Sequence, residues 1–232
     1  MKVALCISGL SRTYKESFDS LHKYIIEKLN PDIFISTWHD SNNNAFNELY
    51  KPLSFESEIY NEDTFNKFVN FMWYVYRFGF FPKNLLPMYY KIFKANLLKI
   101  NHENFIKKQY DLVIRARSDL LYCNDIPTIE IKECLDNKNL IFCRKDTEHD
   151  SGYSDIDWCW DQFAFGSSYA MNVYSDTINN IDSCLYTILE KYRKKTLKHH
   201  LPLANEFMFR ENLYNNGIQI KHSNIKYQFI RQ

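Results

Sequence analysis

The sequence predicts an α/β fold: a mostly parallel central sheet with helices on both faces, carried by a single domain over residues 1–232. Three observations lead there. The chain opens with a strand, a loop, a helix and a second strand. Strand-like runs then keep alternating with helical periodicities. The strand-like runs are continuously apolar instead of alternating, as strands covered on both faces are.

The elements follow in order. Lys2 to Ile7 is a continuous apolar run and reads as a buried strand; Ser8-Gly9-Leu10-Ser11-Arg12 then turns the chain. Thr13 and Glu16 have capping-box spacing, and Tyr14, Phe18, Leu21, Ile25 and Leu29 form one apolar helical face up to Pro31. Asp32 to Ser36 is a second strand. From Glu62 to Lys108 the pattern is aromatic and mostly helical, with breaks expected at Gly79, Pro82 and Pro87. Asp111 to Arg117 is a third strand and Leu140 to Cys143 a fourth. Phe163-Ala164-Phe165 is a short strand ending at Gly166, after which Ser168 is placed to cap a helix with Met171, Tyr174, Ile178 and Ile181 on one face. A last helix runs from Leu203 to Asn215 and stops at Asn216-Gly217; strand-like pieces follow around Ile218 and Phe229.

Composition excludes several classes. The 232 residues are 45% hydrophobic, 17% aromatic and 25% charged, which excludes a disordered or collagen-like chain. A formal net charge of +1 lacks the basic excess of a protein that coats nucleic acid. The six cysteines contain no C-x-x-C pair, and the seven histidines no H-E-x-x-H, so no structural zinc site is expected. The amino terminus is apolar for too few residues to be a signal-peptide core, and no run reaches the ~18 apolar residues of a membrane span. A soluble, cytoplasmic protein is expected. The basic run Lys191 to His200 reads as a solvated helix end, with peripheral contact to an anionic membrane surface as the alternative.

In an open α/β sheet ligands bind beyond the carboxyl ends of the strands, so polar residues there carry information. After strand one, Ser8 and Gly9 allow close backbone approach to an anion and Arg12 adds a charge. Five dispersed glycines make neither G-x-G-x-x-G nor a P-loop. At the exit of strand three, Arg115, Arg117 and Asp119 share one face if the chain stays extended. They form either an ion pair closing the strand or a polyanion site, the arginines holding phosphate oxygens and Asp119 a divalent cation or a ligand hydroxyl. Trp38 and His39 follow strand two and either line the same crevice or pack into the core. A second acidic stretch holds Asp155, Asp157 and Asp161, of which Asp161 directly precedes an apolar segment. Glu206 lies on the apolar side of the last helix, either paired with Arg210 or facing a site.

These residues, in this order, resemble small bacterial and viral glycosyltransferases of the GT-A type. The resemblance rests on Ser8-Gly9-Leu10-Ser11-Arg12, on Asp32 to Trp38, on Tyr110 to Leu120, on Asp161 to Gly166 and on the helix carrying Glu206. It implies a Rossmann-like GT-A domain. It also implies transfer of a sugar from a nucleotide-diphosphate sugar to a hydroxyl of a surface polysaccharide or glycan, as in capsule biosynthesis. Ser8, Gly9, Arg12, Trp38, Arg115, Arg117 and Asp119 would then bind the donor, and Asp161, then Glu206, would be the candidate general base. Where the family carries D-x-D for Mg²⁺ or Mn²⁺, this chain has Arg117-Ser118-Asp119, leaving Asp119 as the expected metal contact and two arginines able to take over part of the charge. The rival readings are another nucleotide-dependent transferase, moving a nucleotidyl or phosphoryl group, and a non-catalytic glycan- or nucleotide-binding module.

Overall fold

The computed structural model describes residues 1–65, 85–144, 159–188, 190 and 205–230. Asp155, Asp157, the tryptophan at 158, Gly79, Pro82, Leu203 and the run 191–200 lie outside them.

Strand β1 (Val3–Gly9) sits near the middle of a seven-stranded sheet. Its partners are β2 (Asp32–Trp38) and, on the other side, β4 (Leu112–Ala116), both parallel to it. Beyond β2 lies the parallel edge strand β3 (Ser54–Glu58). Beyond β4 the order continues through β7 (Ala164–Gly166), β6 (Leu140–Arg144) and β8 (Gln219–Ser223). Only β7 runs against its neighbours. A separate ribbon pairs β5 (Leu120–Tyr122) with β9 (Tyr227–Phe229), so the chain leaving β4 turns directly into a second, antiparallel pairing.

Helices cover both faces, as predicted. The face bearing Val3, Leu5 and Ile7 packs Tyr14 and Leu21 of α1 (Tyr14–Leu21), Phe46 and Tyr50 of α2 (Asn43–Tyr50), and further helical residues. Ala4, Cys6 and Phe34 face the other way. There they meet Leu86, Tyr89, Ile92 and Ala95 of α3 (Leu85–Ile106), below which α4 (Thr128–Asp136) joins the first face through Ile131 and Cys134. Helices α5 (Ser168–Ser175) and α6 (Asn205–Asn215) complete the second face with Tyr174, Phe207 and Phe209. Each fully buried side chain of this size contributes roughly 1.5–3 kcal/mol of transfer free energy, so the period-2 alternation of β1 fixes which helices lie above and below it.

Local chemistry departs from the sequence expectations at three places. Thr13 precedes α1, but its hydroxyl makes no cap bond and is buried without a partner. Its φ of −117° and ψ of 28° are not the extended geometry that aims a capping oxygen at the N3 amide. Helix α1 also passes through a π-helical stretch (His22–Ile26) before ending at Asn30, whose φ is 42°. The cap of α5 is Ser167, not Ser168: Ser167 is extended (φ −60°, ψ 160°) and its Oγ accepts from the Ala170 amide at 3.1 Å. Pro87, expected to break a helix, falls inside α3 close to its described start. Gly166 permits the tight packing of β7, since a Cβ there would lie 2.7 Å from the Leu140 carbonyl oxygen.

Candidate anion-binding cleft

The carboxyl ends of β1, β2 and β4 open into one cleft of about 570 Å³. Parallel pairing brings this about, because it puts the three strand exits side by side on one edge of the sheet. Ser8, Gly9 and Arg12 reach it from β1 and its loop, Trp38 and His39 from β2, and Arg115, Arg117 and Asp119 from β4 and the turn after it. All seven residues expected to bind a donor therefore surround one space.

The β1 loop is held in place from outside. Gly9, the last residue of β1 and still in register with Thr37 of β2, has a φ of +119°, a conformation a side chain would strain. Ser11 Oγ donates to Asp40 Oδ2 at 2.6 Å, and Ser118 Oγ donates to the Leu10 carbonyl at 2.8 Å. Ser17 Oγ in turn donates to the Ser118 carbonyl at 2.6 Å, tying α1 to the turn after β4. Loop and turn are thus fixed to each other across the strand ends.

Among the described residues, two buried polar atoms of this wall have no hydrogen-bond partner: Ser8 Oγ and Arg115 Nε. Both residues are only 3% exposed and both line the cleft. Arg115 pairs with Cys6 across the β1–β4 ladder, and Ser8 lies two residues beyond Cys6 on the same face, so the two groups are neighbours. Among the described residues no carboxylate pairs with Arg115; its Nη1 donates to the carbonyl of Ala116. Burial pulls the guanidinium below its ordinary value, and the more distant charges of Tyr174 and Asp161 offset this only in part. A buried donor left without an acceptor costs about 1–3 kcal/mol, and more when it is charged.

Arg117 behaves differently. Its Nε and Nη2 donate to the two oxygens of Asp119 at 2.8 and 2.5 Å, and Nη1 reaches Asp161 at 3.5 Å. Burial alone would lower this guanidinium; the bonds and charge of Asp119, then Asp161, outweigh it and raise it. The Arg117 and Asp119 side chains remain 32% and 25% exposed at the cleft wall, so the pair is not sealed in the interior. Asp161 is 4% exposed and stands behind Arg117. Glu206 is half-buried on α6 and, like Asp161, acts electrostatically on Cys159: burial, the hydrogen bond that Cys159 donates to Cys143, and then the charges of Cys143, Glu206 and Asp161 push the Cys159 thiol well up. Arg210, weighed as the partner of Glu206, donates to Glu211 at 2.6 Å.

Trp38 is a packed wall of the cleft. Tyr90 stacks on it at 5.8 Å, the Lys91 ammonium lies 4.2 Å from its ring centre, and the residue is 9% exposed. The exposed ring at this end belongs to Tyr60, a residue absent from the sequence-based candidates, which meets Trp38 edge-on at 5.4 Å. It follows a half-polar edge strand that has no apolar signature, so nothing in the sequence marked it. Met88 and Pro87 of α3 complete the apolar side.

A divalent cation fits this donor set poorly. Both oxygens of Asp119 are taken by Arg117, so an ion would have to displace a guanidinium and sit beside it. Among the described residues no three His, Cys, Asp or Glu side chains converge.

No protein-family model matches the sequence, and no curated protein matches it. Among solved structures, the chain is similar to mouse xyloside xylosyltransferase 1 in its apo form, at 12% identity and a TM-score of 0.46, over 95% of this chain and 84% of that one. It is also similar to the mannosyltransferase Ktr4p from S. cerevisiae, at 11% identity and a TM-score of 0.42, over 97% of this chain and 70% of that one.

Proposed function

We propose that the protein is a glycosyltransferase that moves a sugar from a nucleotide-diphosphate sugar to a hydroxyl of a surface polysaccharide or glycan. One observation carries this reading. Two residues that line the cleft, Arg115 and Ser8, are buried and keep a polar atom, Nε and Oγ, without a hydrogen-bond partner among the described residues, beside a second arginine and the loop of Gly9. Such groups persist in a folded protein when a ligand completes them, and phosphate oxygens suit both.

In this reading Ser8, the Gly9 backbone and Arg115 hold the diphosphate, with Arg12 and Arg117 closing on it. Negative charge develops on the diphosphate as the sugar departs, and preorganised guanidinium groups stabilise it there. Trp38 and Tyr60 bound the end that would take the nucleoside. Asp161 is the first candidate to accept the proton of the acceptor hydroxyl and Glu206 the second. What supports Asp161 is its 3.5 Å link to Arg117 Nη1, a residue of the cleft wall.

The test is incubation of the protein with UDP-, GDP- and CMP-sugars and glycan acceptors, followed by mass spectrometry of the products. The expected result is an acceptor that gains a sugar without phosphorus. An acceptor that gains phosphorus would instead identify a nucleotidyl or phosphoryl transferase. Donor binding without turnover would identify a binding module. Asp161→Asn should lose most transfer while retaining donor binding; transfer at the wild-type rate removes Asp161 as the base.

A further inference from the structure

We infer that the cleft binds its diphosphate without a divalent cation, with Arg12, Arg115 and Arg117 in place of the ion, an inference that rests on the nucleotide-donor reading above. The lining carries three guanidinium groups and one carboxylate, Asp119, which together come to a formal charge of +2. The diphosphate of a nucleotide sugar carries about one negative charge per phosphate. The two balance as they stand. A divalent ion would bring the wall to +4 and place a cation against guanidinium groups, one of them buried.

The hydrogen-bonding pattern agrees with the charges. Asp119 has the position a metal-binding acid would need, yet both its oxygens accept from Arg117. It therefore orients an arginine. Arg117 Nη1 has only a 3.5 Å contact to Asp161, which leaves that edge of the fork for a closer oxygen. Arg115 offers the orphaned Nε and Ser8 the orphaned hydroxyl, both nine-tenths buried or more and both on the cleft wall. Arg12 is exposed and, among the described residues, has neither an ion pair nor a hydrogen bond, so its guanidinium can fold over an anion without breaking a contact. These groups supply donors on the inner wall, at the strand exit and over the mouth, which is what a metal ion bridging two phosphates otherwise provides.

Calorimetric titration with UDP, GDP, CDP, ADP and inorganic pyrophosphate, each in EDTA and in Mn²⁺, tests this. At least one nucleoside diphosphate should bind in EDTA, with affinity changing by less than about threefold, or ~0.7 kcal/mol, on adding Mn²⁺. Binding seen only with Mn²⁺ overturns the cation-free site and leaves the glycosyltransferase reading standing. Pyrophosphate binding in EDTA with no nucleotide binding supports the charge-balanced wall and removes the nucleotide donor. No binding of any probe in either condition overturns both. Asp119→Asn separates the models by sign. Removing a carboxylate from the wall should tighten diphosphate binding several-fold in EDTA and in Mn²⁺ alike, whereas loss of a metal-binding aspartate would abolish the binding seen in Mn²⁺.

Discussion

Arg115 carries the largest conflict between stability and use. Its guanidinium is buried on a strand whose neighbours are apolar, and among the described residues no carboxylate pairs with it and one N–H lacks an acceptor. Removing a buried charge that nothing pairs is often neutral or stabilising. Arg115→Met, of similar length and apolar, should therefore raise the melting temperature by about 2–4 °C, the shift that ~1 kcal/mol gives in a chain of this size. The same variant should weaken diphosphate binding by about tenfold or more, ~1.4 kcal/mol. Thermal denaturation and calorimetry on one preparation check both. A variant that melts lower and binds normally would make Arg115 a structural residue. The sequence already placed Arg115, Arg117 and Asp119 on one face through strand alternation. It left open whether they pair or wait for a ligand, and the structure divides them: Arg117 pairs with Asp119, and Arg115 has no carboxylate partner among the described residues.

At the scale of elements, α3 and α5 are joined by a buried polar knot. Lys99, wholly buried, donates to Glu103 at 2.9 Å, Ser168 at 2.7 Å and Asn172 at 2.7 Å. Glu103 also accepts from the Tyr110 amide at 2.8 Å, just ahead of β4. Burial pulls Lys99 below the ordinary lysine value, against its bond to Glu103. Every group in the knot depends on its charged partner, so Lys99→Met should cost about 3–5 kcal/mol by stranding the Glu103 carboxylate. Adding Glu103→Gln should restore part of that loss, because an amide keeps the acceptor for Tyr110 and leaves no charge. Urea unfolding of the single and double variants measures it; equal stabilities would show that the knot does not act as a unit. Legibility also varied by element. β1, β2, β4 and β6 were readable because strands buried on both faces must be continuously apolar. β3, Ser-Phe-Glu-Ser-Glu, was not: it is a half-buried edge strand defined by pairing with β2, with Glu58 held by Lys91 at 2.6 Å. Of the β5–β9 ribbon, β9 was foreseen as the strand-like piece around Phe229, whereas β5 escaped, since it is three residues long and finds its partner only in the folded chain.

For the whole molecule, a net charge of +1 means that attraction of an anion comes from the local placement of charge. The arginines act at short range, and Arg12 is the one exposed to solvent ions. Diphosphate affinity should fall several-fold as salt rises from ~0.1 M to ~1 M, where the screening length shrinks from about 10 Å to about 3 Å. Arg12→Gln should flatten that dependence, leaving the buried Arg115 as the less screened contribution. Titrations across the salt range decide it, and an unchanged slope in the variant would remove Arg12 from the site. Among the described residues no helix is long and apolar enough to cross a membrane.

By itself the sequence determined the class of fold, the order of its main strands and helices, and which strand ends bear polar groups. Those properties follow from hydrophobic period and from the rule that parallel strands present their carboxyl ends together. Only the tertiary structure decided that these ends enclose one cleft, that Arg117 occupies Asp119 while Arg115 Nε and Ser8 Oγ keep no partner among the described residues, and that Tyr60 supplies an exposed ring. Partnership between groups as far apart in sequence as Ser8 and Arg115 is set by strand register and packing, and neither has a period that a linear reading can detect.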